Sequence, residues 1–271
     1  MTAVAFPTVD GIRWSALVQD ADSGEVLLSE QPDLVLSTAS IGKLFLLHRL
    51  LVDVDQGARS LDEIVTRRPD EMVGASGLWK LMQAESLSVY DLGLLVGAVS
   101  DNAATNTLCR VVGIERVREH SRALGYEHTA LNDKVRWPIP PGYPERLSQG
   151  NATELVRFVR ELADGVGLSS ESRDVFLRWL GTGSDTSMVA QPFNFDPPDH
   201  FFFDRGAWLW NKTGTLLSVR SDVGMYMSPE RRIAYAVTAQ WDRGADPRDE
   251  VLAAMAEIGT LIKAALTAPS R

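Results

Sequence analysis

The chain has 271 residues, 45% hydrophobic and 23% charged, a composition typical of globular protein and large enough for a sizeable core and two lobes. Its 36 acidic and 27 basic side chains give a formal net charge of -9, which argues against a phosphate-backbone partner, so no nucleic acid is expected. A single cysteine, Cys109, excludes an intramolecular disulfide, and the scattered His48, His120, His128 and His200 form no HxH or HExxH pattern, so neither a metal nor another cofactor is expected.

The start, MTAVAFPTVDGIRW, lacks a basic segment followed by an apolar one, and no run approaches the roughly 20 apolar residues of a membrane span. The expectation is a cytoplasmic protein with no membrane partner, or a secreted one if a signal segment has been trimmed. WSALVQD and EVLLSE read as two short strands around a turn at ADSG, where Gly24 supplies positive φ. Ser37 to Val54 reads as a helix that is apolar on most faces and ends near Gly57. A helix-rich middle extends to about Leu180: LDEIVTRR, GLWKLMQA, SVYDLGLLVGAVS, NAATNTLCRVVG, IERVREHSRALG, NATELVRFVRELAD and SRDVFLRWL. Within it, Pro138, Pro140, Pro141 and Pro144 stiffen the loop WPIPPGYPE.

After the loop QPFNFDPPDHFFFDRG the period becomes two, giving strands at WLWNKTGTLL, DVGMYMSP and RRIAYAVTAQW. A last helix carries the stripe Val251, Met255, Ile258, Ile262 and Ala265, with Asp246 as its expected N-cap and Pro247 in its first turn. Strands at both ends with helices between them predict an α/β (α+β) fold: one antiparallel sheet flanked by helices, an inserted all-α lobe, and a cleft where they meet. The expected division is a single unit over 1–271, with an α/β lobe of about 1–56 and 205–271 and an all-α lobe of about 57–204.

Chemistry enters at Ser40 and Lys43. A serine hydroxyl is a weak nucleophile until its proton is removed, and a lysine three positions on in a helix shares its face. Burial, the positive helix N-terminus and a second cation would each lower that lysine's pKa and make it a base. Taken alone, the same residues also describe a capping serine and a lysine snorkelling out of a core helix. Two further elements shift the balance. Ser100-Asp101-Asn102 lies between two helices, where Ser100 could relay a proton, Asn102 could donate to a substrate carbonyl and Asp101 could brace the turn. Lys212-Thr213-Gly214-Thr215 interrupts a strand for no folding gain; Lys212 and Thr213 suit a carboxylate, and Gly214 suits close approach of another backbone or a ligand. The N–H groups of Ser40 and Thr215 could then share an oxyanion.

Ser40-Ile41-Gly42-Lys43, Ser100-Asp101-Asn102 and Lys212-Thr213-Gly214, in that order, resemble the SxxK, SDN and KTG elements of class A β-lactamases and penicillin-binding proteins. The resemblance runs from about Trp14 to the C-terminus. It implies a β-lactamase-like fold, Ser40 as the acylated nucleophile, Lys43 as base or relay, Ser100 as proton donor to the leaving nitrogen, and Asn102 on the substrate amide. Lys212 and Thr213 would hold the substrate carboxylate, with Arg220 as a second anchor; Arg220 also reads as an ordinary strand arginine.

One element departs from the family. Class A enzymes carry an ExxLN glutamate on a loop; here Arg136-Trp137 is followed by Pro138, and no such motif appears. Glu145 is the nearest candidate and Asp133 stands behind it, although both also read as solvated loop carboxylates. General-base help is typically worth about 10² to 10⁴ in rate, so without it an acyl-enzyme would accumulate. The expectation is therefore a serine hydrolase opening a β-lactam amide of a small-molecule substrate, with impaired deacylation. The alternatives are an esterase or acyltransferase of a biosynthetic or metabolic pathway, and a β-lactam-binding protein without turnover. Phe201, Phe202, Phe203, Trp208, Trp210, Trp79 and Tyr90 read as core before cleft lining. His48 and Cys109 are assigned no role.

Overall fold

The computed structural model describes residues 6–200 and 206–267. In chain order, β1 (Arg13–Asp20) and β2 (Val26–Glu30) form a hairpin whose turn places Gly24 at φ 77. β3 (Leu36–Ser37) follows, then a 3₁₀ turn over Ala39–Gly42, and then α1 (Lys43–Asp55). The middle contains β4 (Ile64–Thr66), β5 (Ser86–Ser88), α2 (Val89–Val99), α3 (Asn102–Leu108), a π-turn over Cys109–Gly113 and α4 (Ile114–Ala123). It continues through β6 (Ala130–Leu131), β7 (Ser148–Gly150), α5 (Ala152–Ala163) and α6 (Ser170–Gly181). β8 (Trp208–Leu216), β9 (Val219–Met227), β10 (Arg232–Gln240) and α7 (Arg248–Leu266) complete the chain.

The two ends build one antiparallel sheet in the order β2-β1-β10-β9-β8, as the change of period predicts. Alternation along the strands sorts side chains between its faces. On β1 and β10, Trp14, Ala16, Val18, Tyr235 and Val237 face one way, toward Val251, Met255 and Ile258 of α7. Leu17, Ala234 and Ala236 face the other way, into the core built around α1. There Phe45, Leu46, Leu47, Leu50 and Leu51 are all fully buried, each contributing roughly 1.5–3 kcal/mol of burial. That explains why the α1 sequence is apolar on nearly every face. α5 also packs against β1, β9 and β10, so the inserted segment supplies part of the sheet's cover. No helix among the described residues is long and apolar enough to cross a membrane.

Four sequence expectations are corrected. The helix expected from Ser37 begins at Lys43, because Leu36 and Ser37 pair with β7 and leave Ser40 in the preceding tight turn. LDEIVTRR contains the strand β4, paired with β5, rather than a helix. GLWKLMQA makes only a 3₁₀ turn at Trp79–Leu81: the Asp101 carboxylate caps its start through the N–H groups of Leu78 and Trp79 at 2.7 and 2.8 Å, and the chain leaves the turn at Met82, which is extended at ψ 150, while Arg67 takes the Trp79 carbonyl at 2.6 Å. Asp246 does not cap α7: the N-cap is Pro247, and the Asp246 carboxylate receives Arg248 at 3.2 Å. Trp79 and Trp210 are core residues as expected, whereas Tyr90 and Trp208 are half-buried and Phe201, Phe202 and Phe203 lie outside the described residues.

Candidate active site

Ser40 sits on the 3₁₀ turn that feeds α1, held from both sides. Its neighbour Ala39 adopts φ 52, a left-handed conformation costing about 1–3 kcal/mol in a residue with a side chain. Ser148 of β7 holds the turn in this shape. Its hydroxyl donates to the Ala39 carbonyl at 2.5 Å, contacts Thr38 Oγ1 at 2.9 Å and receives the Gly42 N–H at 3.4 Å. The approach is so close that a Cβ on Gly42 would lie 2.4 Å from the Ser148 Cβ, which explains the glycine between Ser40 and Lys43. On the other side, a Cβ on Gly214 would meet the Thr38 carbonyl oxygen at 2.4 Å and the Ser40 nitrogen at 3.1 Å. This is the close backbone approach that a glycine in mid-strand suggested.

Lys43 opens α1 and is fully buried. Its Nζ donates to Ser100 O at 2.7 Å, Ser100 Oγ at 3.2 Å and Asn102 Oδ1 at 2.8 Å. Burial, reinforced by the Lys212 ammonium and partly opposed by Asp101, holds its pKa well below the usual 10.5. An ammonium has three donors and these are its three acceptors; the Ser40 hydroxyl is not among them, and a neutral amine, which keeps two donors, would have a lone pair for a hydroxyl proton.

Ser100 and Asn102 flank Asp101 at the joint between α2 and α3. Ser100 is the left-handed C-cap of α2 at φ 55, which turns its side chain toward Lys43. Asp101 caps α3 through Ala104 N–H at 2.9 Å, while its other oxygen receives Leu78 and Trp79; it braces the joint, as the sequence suggested. Asn102 donates one N–H to Gly74 O at 3.0 Å, and its second amide hydrogen has no partner among the described residues.

Lys212 reaches the same region from β8. It is almost fully buried, burial lowers its pKa to about 8, and its Nζ donates to the Thr213 carbonyl at 2.8 Å. Ser40, Ser100, Lys212, Thr213 and Thr215 line one cavity of about 290 Å³. A second cavity of about 130 Å³ is shared by Ser40, Asn102, Thr215, Asp133 and Glu145. Six of the nine site residues expected from sequence therefore line Ser40's two cavities, Lys43 lies behind them in contact with Ser100 and Asn102, and Gly214 abuts the Ser40 turn. Arg220 lies elsewhere. It is paired opposite Thr215, its guanidinium donates to Leu216 O at 2.7 Å and Val219 O at 2.9 Å, it packs near the Trp241 ring, and it lines neither cavity.

The loop that departs from the family closes the smaller cavity. Asn106 clamps it: Nδ2 donates to Val135 O at 3.0 Å and Oδ1 receives Val135 N–H at 2.7 Å. Asp133 is engaged by Arg136 Nε at 2.6 Å and by Lys134 N–H at 2.7 Å. Glu145 takes no hydrogen bond from a described residue and faces the cavity that Ser40 lines. Sequence reading missed Asn106 and Ser148. An asparagine inside a short predicted helix was the one available signal, since Ser148 looks like an ordinary loop residue until the fold brings it to the Ser40 turn. Cys109 is buried, with its thiol pushed up to about 12, and His48 Nδ1 contacts His120 Nε2 at 2.8 Å.

Solved structures share this architecture. A beta-lactamase from Sphaerobacter thermophilus DSM 20745 superposes with a TM-score of 0.82 at 24% identity, covering 96% of this chain and 94% of that one. PBP-A gives 0.81 at 22%, covering 96% and 92%. A point mutant of PBP-A, solved as an acyl-enzyme complex with penicillin G, gives 0.79 at 22%, covering 94% and 90%. At these identities the likeness establishes the fold. The family follows from the sequence itself, because the model of the beta-lactamase enzyme family matches residues 3–266: the chain belongs to that family.

Proposed function

We propose that the protein is a serine hydrolase that opens a β-lactam or related strained amide through an acyl-enzyme on Ser40, and that it releases the acyl group slowly. The observation that carries this reading is Lys43: buried, depressed in pKa, and hydrogen-bonded to Ser100 and Asn102 beside the nucleophile turn. Neutral Lys43 takes the Ser40 hydroxyl proton as Oγ bonds to the carbonyl carbon. The Ser40 and Thr215 N–H groups hold the oxyanion, and Asn102 holds the substrate amide with its free hydrogen. On collapse the C–N bond breaks. The departing nitrogen takes the Ser100 proton, which the newly formed Lys43 ammonium replaces across their 3.2 Å contact. Lys212 and Thr213 anchor the substrate carboxylate, and Arg220 adds positive field from the adjacent strand.

Deacylation needs a second base. Asp133 is tied to Arg136, so Glu145 is left as the carboxylate able to approach a water in the smaller cavity. Its place on a solvent-exposed loop supports slow turnover. Intact-protein mass spectrometry after mixing with benzylpenicillin tests the proposal. The expected result is an adduct of one drug molecule that decays over minutes or longer with release of opened product. Absence of any adduct with penicillin and cephalosporin alike overturns it, and an adduct that never decays reduces the protein to a β-lactam binder.

A further inference from the structure

The cavity that Ser40 shares with Lys212 contains a charge that a simple carboxylate pocket would exclude. Among the described residues two charged side chains line it, Lys212 and Asp185. Asp185 follows α6 on the segment facing β8, and its Oδ1 accepts hydrogen bonds from Ser187 N–H at 3.1 Å and Ser187 Oγ at 2.7 Å. Its Oδ2 takes no hydrogen bond, and the carboxylate forms no ion pair, with any described residue. Its field reaches both Lys212 and Arg220 and opposes the fall in their pKa values. Among the described residues the cavity is therefore lined by one cation and one anion, both bordering the same space of about 290 Å³ and near enough for the carboxylate's field to reach the ammonium. A ligand carrying only a carboxylate gains Lys212 but is repelled by Asp185 in a partly desolvated space. A ligand carrying a carboxylate and a nearby cation satisfies both.

We infer that Asp185 is a specificity-determining residue that selects substrates whose departing half bears both a carboxylate and a cationic group, such as an amide to a diamino acid. This deepens the proposed function and rests on Lys212 and Thr213 anchoring the carboxylate on the leaving side of the bond that Ser40 attacks. The carboxylate would meet Lys212 and Thr213, and the cation would meet the free Oδ2 of Asp185.

Two cephalosporins with the same acyl side chain provide the probe: cephalothin, neutral at its C3 substituent, and cephaloridine, with a pyridinium there. Native protein is expected to acylate with cephaloridine at least tenfold faster. Asp185→Asn keeps the Oδ1 acceptor for Ser187, so the turn survives, and it should bring the ratio near one by slowing cephaloridine and speeding cephalothin. Ser187→Ala, which leaves the charge in place, should preserve the ratio. A ratio unaffected by Asp185→Asn overturns the inference. If neither drug acylates, the β-lactam reading fails, and binding to Ser40→Ala protein decides the question. There, NMR titration should show Nα-acetyl-lysine binding at least threefold tighter than Nα-acetyl-norleucine, with the difference abolished by Asp185→Asn; equal affinities, or no binding of either, overturn the inference.

Discussion

Gly214→Ala gives the sharpest test of how the strand edge serves the nucleophile. The added Cβ would stand 2.4 Å from the Thr38 carbonyl oxygen, where ordinary contact begins near 3.4 Å. The obstacle is backbone held by Ser148, so the edge of β8 must withdraw by about 1 Å, and the next N–H, that of Thr215, moves with it. A displacement of that size in an oxyanion donor costs about 100-fold in the acylation rate, while overpacking costs about 1–3 kcal/mol of stability. Stopped-flow acylation by a fluorescent penicillin measures the first effect and thermal unfolding the second. A folded variant that acylates within threefold of the native rate would refute the proposed oxyanion pair.

Acylation should show a bell-shaped pH profile, because it needs Lys43 neutral and Lys212 charged. The rate rises with pH through the lowered pKa of Lys43 and falls as Lys212 loses its proton near 8; Lys212→Arg should carry the falling limb more than one pH unit higher, and an unmoved limb rejects that assignment. Ser148→Ala removes contacts to Thr38, Ala39 and Gly42, so it should cost about 1–3 kcal/mol in denaturant unfolding and slow acylation at least tenfold; a stability loss with native acylation would separate the turn from the chemistry. Glu145→Gln should lengthen the acyl-enzyme lifetime at least tenfold in time-resolved mass spectra, and an unchanged lifetime removes Glu145 from deacylation. Burial, followed by the neighbouring His120, lowers the His48 pKa from 6.5 to about 4, so the unfolded chain binds the extra proton between those values. Stability is fully present above 6.5 and declines as pH falls toward 4, by up to about 3 kcal/mol from His48; a flat unfolding free energy across that window contradicts a neutral buried pair.

What the sequence made legible was local or strongly patterned. The period of two in RRIAYAVTAQW places Tyr235 and Val237 on one face and Ala234 and Ala236 on the other, as the sheet does. The grouping of Ser40, Lys43, Ser100 and Lys212 around one cavity could be anticipated because their types and order carry chemistry independent of packing. What stayed hidden depends on partners distant in the chain. β3, β6 and β7 are two or three residues long and exist only through pairing with one another, so no periodicity announces them. GLWKLMQA has a helical composition, but Arg67, distant in the chain, takes the Trp79 carbonyl, and the backbone turns extended at Met82 after one turn. Arg220 could be placed on its strand, although the carbonyls that turn its guanidinium away from the cavities could not be foreseen. Asp185 belongs with them, since its place in the cavity depends on α6 packing against β8.

The central claim is that a lysine sealed inside the protein is held as a base beside Ser40. It is most directly measured by the 13Cε NMR titration of the lysines, of which the chain has five, with Lys43 assigned by the signal lost in Lys43→Arg. The account predicts that this resonance titrates well below 10.5, in step with the rising limb of acylation. A Lys43 signal that titrates near 10.5, like that of a surface lysine, would contradict it.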